Sequence, residues 1–133
     1  NENINNTSAS IEGYWNSIEW SIVETQGYWT SYPNGQRITT YTQSQTNNFW
    51  LDLIFQSNGD AAGVDEDGSV MPTDYYKNGD TLLMDVYTFT ISTLNSTNLT
   101  LELFENDTNT STNPINDTIY FTEKSELFKF ERD

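Results

Sequence analysis

Apolar and polar positions alternate with period two along most of the chain from Ile11 to Arg132, interrupted at short intervals by Asn, Gly and Asp. Phe49-Trp50-Leu51-Asp52-Leu53-Ile54-Phe55 is the clearest strand. Phe49, Leu51, Leu53 and Phe55 share one face, and Trp50, Asp52 and Ile54 share the other. Asp52 puts the second face at least partly in water, so the first is the expected core face. Tyr87-Thr88-Phe89-Thr90-Ile91 alternates in the same way, and Leu99, Leu101 and Leu103 face in while Thr100 and Glu102 face out. Thr81 to Asp85 adds Leu82 and Met84 on one side. Ile11 to Val23 reads as a long first strand in two registers, with Ile11, Gly13 and Trp15 on one face, then Ile18, Trp20 and Ile22 on the other. That switch predicts a bulge or bend near Asn16-Ser17. A bent, long first strand is what a closing barrel needs.

The remaining segments are shorter or more polar. Tyr32-Pro33-Asn34-Gly35, Asn58-Gly59 and Asn78-Gly79-Asp80 are hairpin signals, because Gly and Asn reach the positive φ of tight turns. Arg37 to Gln45 alternates weakly and predicts an exposed or edge strand. Asp60 to Val64 is a short strand of small residues, and Asp65-Glu66-Asp67-Gly68 is an acidic turn. Ser69 to Lys77 leads into the third hairpin. Asn95 to Asn98 is a polar turn, and Asn106 to Asn116 reads as a low-complexity loop. Thr118 to Thr122 and Phe128 to Arg132 are the last strands, with Glu123 to Leu127 either a helical turn or a continued strand. Eight to ten short strands separated by turns predict an all-β sandwich or barrel. The tight hairpins favour an up-and-down meander.

Composition narrows the function classes. With 133 residues the chain fits one domain: a polar N-terminal tether over residues 1–10 and a β-domain over residues 11–133. It holds no Cys and no His, which removes disulfide scaffolds, the usual zinc sites, cysteine nucleophiles and Ser-His-Asp triads. No cofactor is implied. Twenty acids against five bases give a formal charge of −15, which repels nucleic acid and anionic lipid. No apolar run is long enough to span a bilayer. The polar start is what a mature exported protein would show, or a lipoprotein whose lipid anchor was attached upstream of residue 1.

Gly13-Tyr14-Trp15 is a G-x-W on the first strand. It is followed by Phe49 to Phe55 with Asn58-Gly59-Asp60, then Tyr87 to Ile91, Leu94, Leu99-Thr100-Leu101 and a final aromatic-basic strand. In this order the chain resembles the lipocalin-like domains of exported proteins and lipoproteins of Bacteroidetes-type bacteria and, more distantly, the lipocalin/fatty-acid-binding group. The resemblance implies a small antiparallel up-and-down barrel of about eight strands, at the cell envelope or outside the cell. It places Trp15 near the closed end, capped by a basic residue of the last strand, with Arg132 first and Lys129 second. It also implies a non-catalytic binding role.

A small apolar or amphipathic ligand would sit in the barrel mouth, against Trp15, Phe49, Leu51, Leu53, Phe55, Met84, Phe89 and Leu101. The same side chains can instead fill a small barrel. The alternative is then a protein- or glycan-interaction module that uses the rim aromatics Tyr28, Trp29, Tyr32 and Trp50. Tyr28, Trp29 and Tyr32 lie in a loop-like setting in sequence. Asp65 and Asp67 are weak calcium candidates, because the spacing is not that of an EF-hand and a solvated turn is favoured. Glu12, Glu19 and Glu24 could in principle pair for glycoside hydrolysis, but acids are too frequent to single out two of them, and no enzyme activity is expected.

Overall fold

A computed structural model describes residues 10–30, 35–47, 51–112 and 117–132. Every regular element in it is a β-strand. The strands are β1 (Gly13–Thr30), β2 (Ile38–Asn47), β3 (Asp52–Phe55), β4 (Asp60–Val64), β5 (Val70–Asn78), β6 (Thr81–Met84), β7 (Tyr87–Leu94), β8 (Asn98–Thr112) and β9 (Asp117–Glu131). Their order in the sheet is β2-β1-β3-β4-β5-β6-β7-β8-β9, and β9 also pairs with β1. Eight strands, β1 and β3 to β9, therefore close an antiparallel up-and-down barrel, and β2 is an extra strand on β1.

The chain forms two compact units. Unit 1 comprises residues 1–21, 46–103 and 127–133; unit 2 comprises residues 22–45 and 104–126. Strands β1, β8 and β9 each supply one stretch to each unit.

Unit 1 holds the main core. Trp15, Phe55, Phe130, Leu82, Leu99 and Leu101 are its largest closed-off side chains, and Trp20, Tyr75, Met84 and Leu103 pack against it. Inward positions follow the alternation read from the sequence, except where a strand changes parity. On β7, Ile91 and Leu94 are both buried although three residues apart, and the β7–β8 register shifts between Ile91 and Thr93. A bulge there turns the following side chains to the other face.

β1 shows the same behaviour. Trp15 and Trp20 pack into one core although an unbroken strand would put them on opposite faces. Between them Asp52 on β3 acts as a clamp. Its Oδ1 accepts the Ser17 amide at 2.8 Å and the Ser17 hydroxyl at 3.1 Å, and its Oδ2 accepts the Tyr14 hydroxyl at 2.6 Å. The amide of Ser17, at the expected bend, is thus bonded to a side chain rather than left unpaired. The hydrogen bond to Asp52, followed by burial and the Asp52 charge, raises the Tyr14 pKa above its ordinary value.

Among the described residues, unit 2 is built of strands with a small buried set. Phe121 on β9 is its buried aromatic at 3% exposure. Gly27 on β1 is buried beneath that ring. A Cβ there would stand 2.1 Å from the Ile38 carbonyl oxygen and 2.6 Å from Phe121 Cζ, so no side chain fits.

Two local expectations change, and the open choice for Glu123 to Leu127 is decided in favour of the continued strand. Asn106 to Thr112 is strand rather than loop, because β8 continues beside β9 and ladder pairing outweighs the poor β-propensity of Asn and Asp. Tyr28 and Trp29 lie on β1 rather than in a loop.

Asp52→Ala removes three hydrogen-bond acceptances at the β1 parity switch. It should lower unfolding stability by roughly 1–3 kcal/mol, measured by urea titration, with the Tyr14 hydroxyl titrating closer to its ordinary value. An unchanged urea midpoint would count against the clamp.

Candidate functional site

The best-defined polar arrangement in unit 1 surrounds Trp15. The Arg132 guanidinium lies over the Trp15 ring, with Cζ 4.1 Å from the centroid. It donates from Nη1 to the Glu12 carbonyl at 2.6 Å, from Nη2 to the Ser10 carbonyl at 3.1 Å and from Nε to the Ser96 carbonyl at 2.9 Å. The Trp15 Nε1–H donates to the Ile11 carbonyl at 2.7 Å, so the indole is fully buried without an orphaned donor. Gly13 sits at φ 123°, a backbone that disfavours a side chain, and a Cβ there would meet Arg132 Nη1 at 3.4 Å. The G-x-W spacing thus gives the guanidinium room over the ring. Lys129 is elsewhere, ion-paired with Glu19 at 3.4 Å.

Asn95, which the sequence marks only as the start of a polar turn, supports this cap. Its buried Oδ1 accepts the Thr97 and Asn98 amides and the Thr97 hydroxyl at 2.8–3.2 Å. That shapes the β7–β8 turn whose Ser96 and Thr97 carbonyls receive Arg132 Nε and the Arg132 amide.

The ligand-cavity candidates form a packed cluster. Trp15, Leu53, Phe55, Phe89 and Leu101 are buried in one core, and Met84 packs against it. Their neighbours are other side chains: Phe55 meets Tyr75 edge-on at 4.9 Å, Phe89 meets Phe128 edge-on at 5.9 Å, and Trp20 stacks on Phe128 at 6.1 Å. Leu51 lies on Gly63, where an added Cβ would stand 3.0 Å from its methyl carbons. Phe49 lies outside the described residues. An open depression of about 320 Å³ in unit 1 is lined by Ser10, Glu12, Ser57, Tyr75, Tyr76 and Lys77 among others, and by none of the cavity candidates. Burial first, then the Glu12 charge, raises the Tyr75 pKa. The Tyr75 hydroxyl donates to the Gln56 carbonyl at 2.6 Å.

In unit 2, Trp29 tilts against Phe121 at 5.9 Å and Tyr28 against Tyr120 at 6.3 Å. The Arg37 guanidinium covers Phe121, with Cζ 3.9 Å from that ring and 5.8 Å from Trp29, and pairs with Glu123 at 3.1 Å. Trp29 is therefore part of a stacked set. Tyr120, at 50% exposure, is the more open ring. Tyr32 and Trp50 lie outside the described residues.

Asp65 and Asp67 close a hairpin turn. Asp65 Oδ1 accepts the Asp67 and Ser69 amides at 3.2 and 3.0 Å, and Asp67 Oδ1 accepts the Ser69 amide at 2.9 Å. Gly68 supplies the positive φ of the turn, 89°. Among the described residues no three acidic, His or Cys side chains gather into a group that could hold a metal ion. Hydrogen bonding with Asp65, then with Ser69, holds the Asp67 carboxyl down to about 2.

No family model, curated protein or solved structure matches the chain.

Two outcomes are expected. Arg132→Ala should lower stability by roughly 2 kcal/mol or more in urea titration, since it removes the cation–π contact and charge-assisted hydrogen bonds. Arg132→Lys should recover only part of that, because an ammonium cannot reproduce the planar fork. Equal midpoints for wild type and Arg132→Ala would contradict the cap. Asp67 should titrate near pH 2 by carboxyl NMR. Its folded pKa is depressed, so its contribution is present above the unfolded value of about 4 and is lost as the pH falls toward 2. Asp67→Asn should flatten the pH dependence of stability in that window.

Proposed function

We propose that the chain is a non-catalytic binding module in which unit 1 is a filled, lipocalin-like barrel serving as scaffold and unit 2 carries the binding surface. The observation that carries this reading is the packing of Trp15, Leu53, Phe55, Phe89 and Leu101 into one core, side chain against side chain. Those residues were also the candidates for a ligand cavity, and small barrels use such positions either way. Here their ring and aliphatic neighbours already occupy the contacts that an apolar ligand would make.

The supporting features lie at the surface. Unit 2 exposes β2 over Ile38–Gln45 and leaves Tyr41 and Tyr120 about half open. A charge of −15 favours a basic partner and disfavours nucleic acid. Of the carboxylates that might pair for hydrolysis, Glu19 is held by Lys129 and Glu24 accepts from Gln26 at 2.7 Å. In this reading the module works at the cell envelope or outside the cell, as the resemblance to exported lipocalin-like proteins implies. Among the described residues no helix is long and apolar enough to cross a membrane.

Titration with an environment-sensitive fluorescent fatty acid tests the filled barrel. The expected result is no saturable binding at micromolar concentrations, and a native mass equal to that of the polypeptide alone. Stoichiometric micromolar uptake that Phe55→Ala changes would overturn the reading and restore the ligand cavity.

A further inference from the structure

We propose that the free edge of β2 is a strand-addition site for an extended, basic polypeptide segment. The inference rests on the reading of unit 2 as the binding surface and names its partner class.

Topology supplies the first argument. Among the described residues, β2 stands at the end of the sheet order and pairs with β1 alone. An antiparallel strand bonded on one side turns every second N–H and C=O outward, which is a template for another strand. β2 is ten residues long and exposed from Ile38 through Thr46.

Composition supplies the second. Exposed edges are commonly protected by charged residues, proline, bulges or shortness. The β2 sequence, Ile-Thr-Thr-Tyr-Thr-Gln-Ser-Gln-Thr-Asn, has no charged residue, no proline and no glycine. Thr, Ile and Tyr are strand formers. The stretch of β8 in unit 2, by contrast, carries Glu105 and Asp107.

Charge selects the occupant. Unit 2 contains six acids, Glu24, Glu105, Asp107, Asp117, Glu123 and Glu126, against two bases, Arg37 and Lys124. Both bases are engaged with acids of the same unit, Arg37 with Glu123 and Lys124 with Glu126. A second copy would bring another formal charge of −15 to the edge, which disfavours self-pairing. A basic strand gains ladder hydrogen bonds along β2 and attraction from the net negative charge of unit 2 and of the chain.

The test uses the full chain and a synthetic peptide of about ten residues that alternates lysine with valine or threonine, the length of a typical long strand. Two controls accompany it: the same peptide with alternate backbone amides N-methylated, and a version with glutamate in place of lysine. The lysine peptide is expected to bind and to slow amide hydrogen exchange within residues 38–47. Both controls should bind at least about tenfold more weakly, because one loses the ladder and the other the charge match. Thr42→Lys combined with Ser44→Lys, both at exposed positions of β2, should weaken the lysine peptide by a similar factor.

Absent binding of the lysine peptide would overturn the proposal. So would equal binding of the N-methylated control, which would mean charge attraction alone, or protection outside residues 38–47. Protection of β2 that grows with protein concentration in the absence of peptide would identify a second copy as the occupant and also overturn it. These failures differ from failure of the module reading, which shows as fatty-acid uptake by the barrel whatever the peptide does.

Discussion

Unit 1 depends on burying Trp15 with its one polar atom satisfied. An indole removed wholly from water contributes up to about 5 kcal/mol, taking roughly 200 Å² at about 25 cal/mol per Å². That exceeds any single polar contact around it, so the burial is the driving term and the polar contacts set its geometry. The Nε1–H reaches the Ile11 carbonyl, and the Arg132 guanidinium covers the ring. Because Arg132 also donates to carbonyls of Ser10, Glu12 and Ser96, one side chain joins the first strand's approach, the β7–β8 turn and the end of the chain. The ring closure of β9 onto β1 and the Trp15 cap therefore support each other.

Placing two tryptophans in one core requires β1 to change parity, and this is where Asp52 matters. A carboxylate on the neighbouring strand takes the Ser17 amide and hydroxyl and the Tyr14 hydroxyl, and so offsets the ladder disruption that a parity switch brings. Once both rings point inward, Trp20 stacks on Phe128, which in turn meets Phe89 edge-on. The interior becomes a set of mutual contacts. Among the described residues of unit 2, Phe121 is the buried aromatic and no comparable cluster forms. The unit relies on a small stack of Trp29, Phe121 and Arg37 over Gly27 and on strand pairing, which suits a surface that presents backbone.

Much of the fold was legible because period-two alternation reports burial directly. Leu53 and Phe55, Phe89 and Ile91, and Leu99 and Leu101 all face the core as their alternation implies. That Trp15 and Trp20 join one core from positions of opposite parity is consistent with the change of face read along β1. Asn106 to Thr112 was not legible, because its Asn, Thr, Ser and Asp composition carries loop propensity and only pairing with β9 makes it strand. The roles of Asp52 and Asn95 were also hidden. Both act through contacts set by the fold, and neither residue type in a polar context differs locally from any exposed Asp or Asn. Tyr28 and Trp29 stood out as aromatics, but their partners Tyr120 and Phe121 lie some ninety positions away in sequence and appear only once β9 is paired.

The account turns on whether the barrel interior of unit 1 is solid. Xenon enters dry apolar cavities and leaves packed cores alone. Diffraction from crystals held under xenon pressure should therefore show no xenon among Trp15, Phe55, Phe89 and Leu101. An occupied xenon site amid those side chains would contradict the filled barrel and return the interior to the role of a ligand cavity.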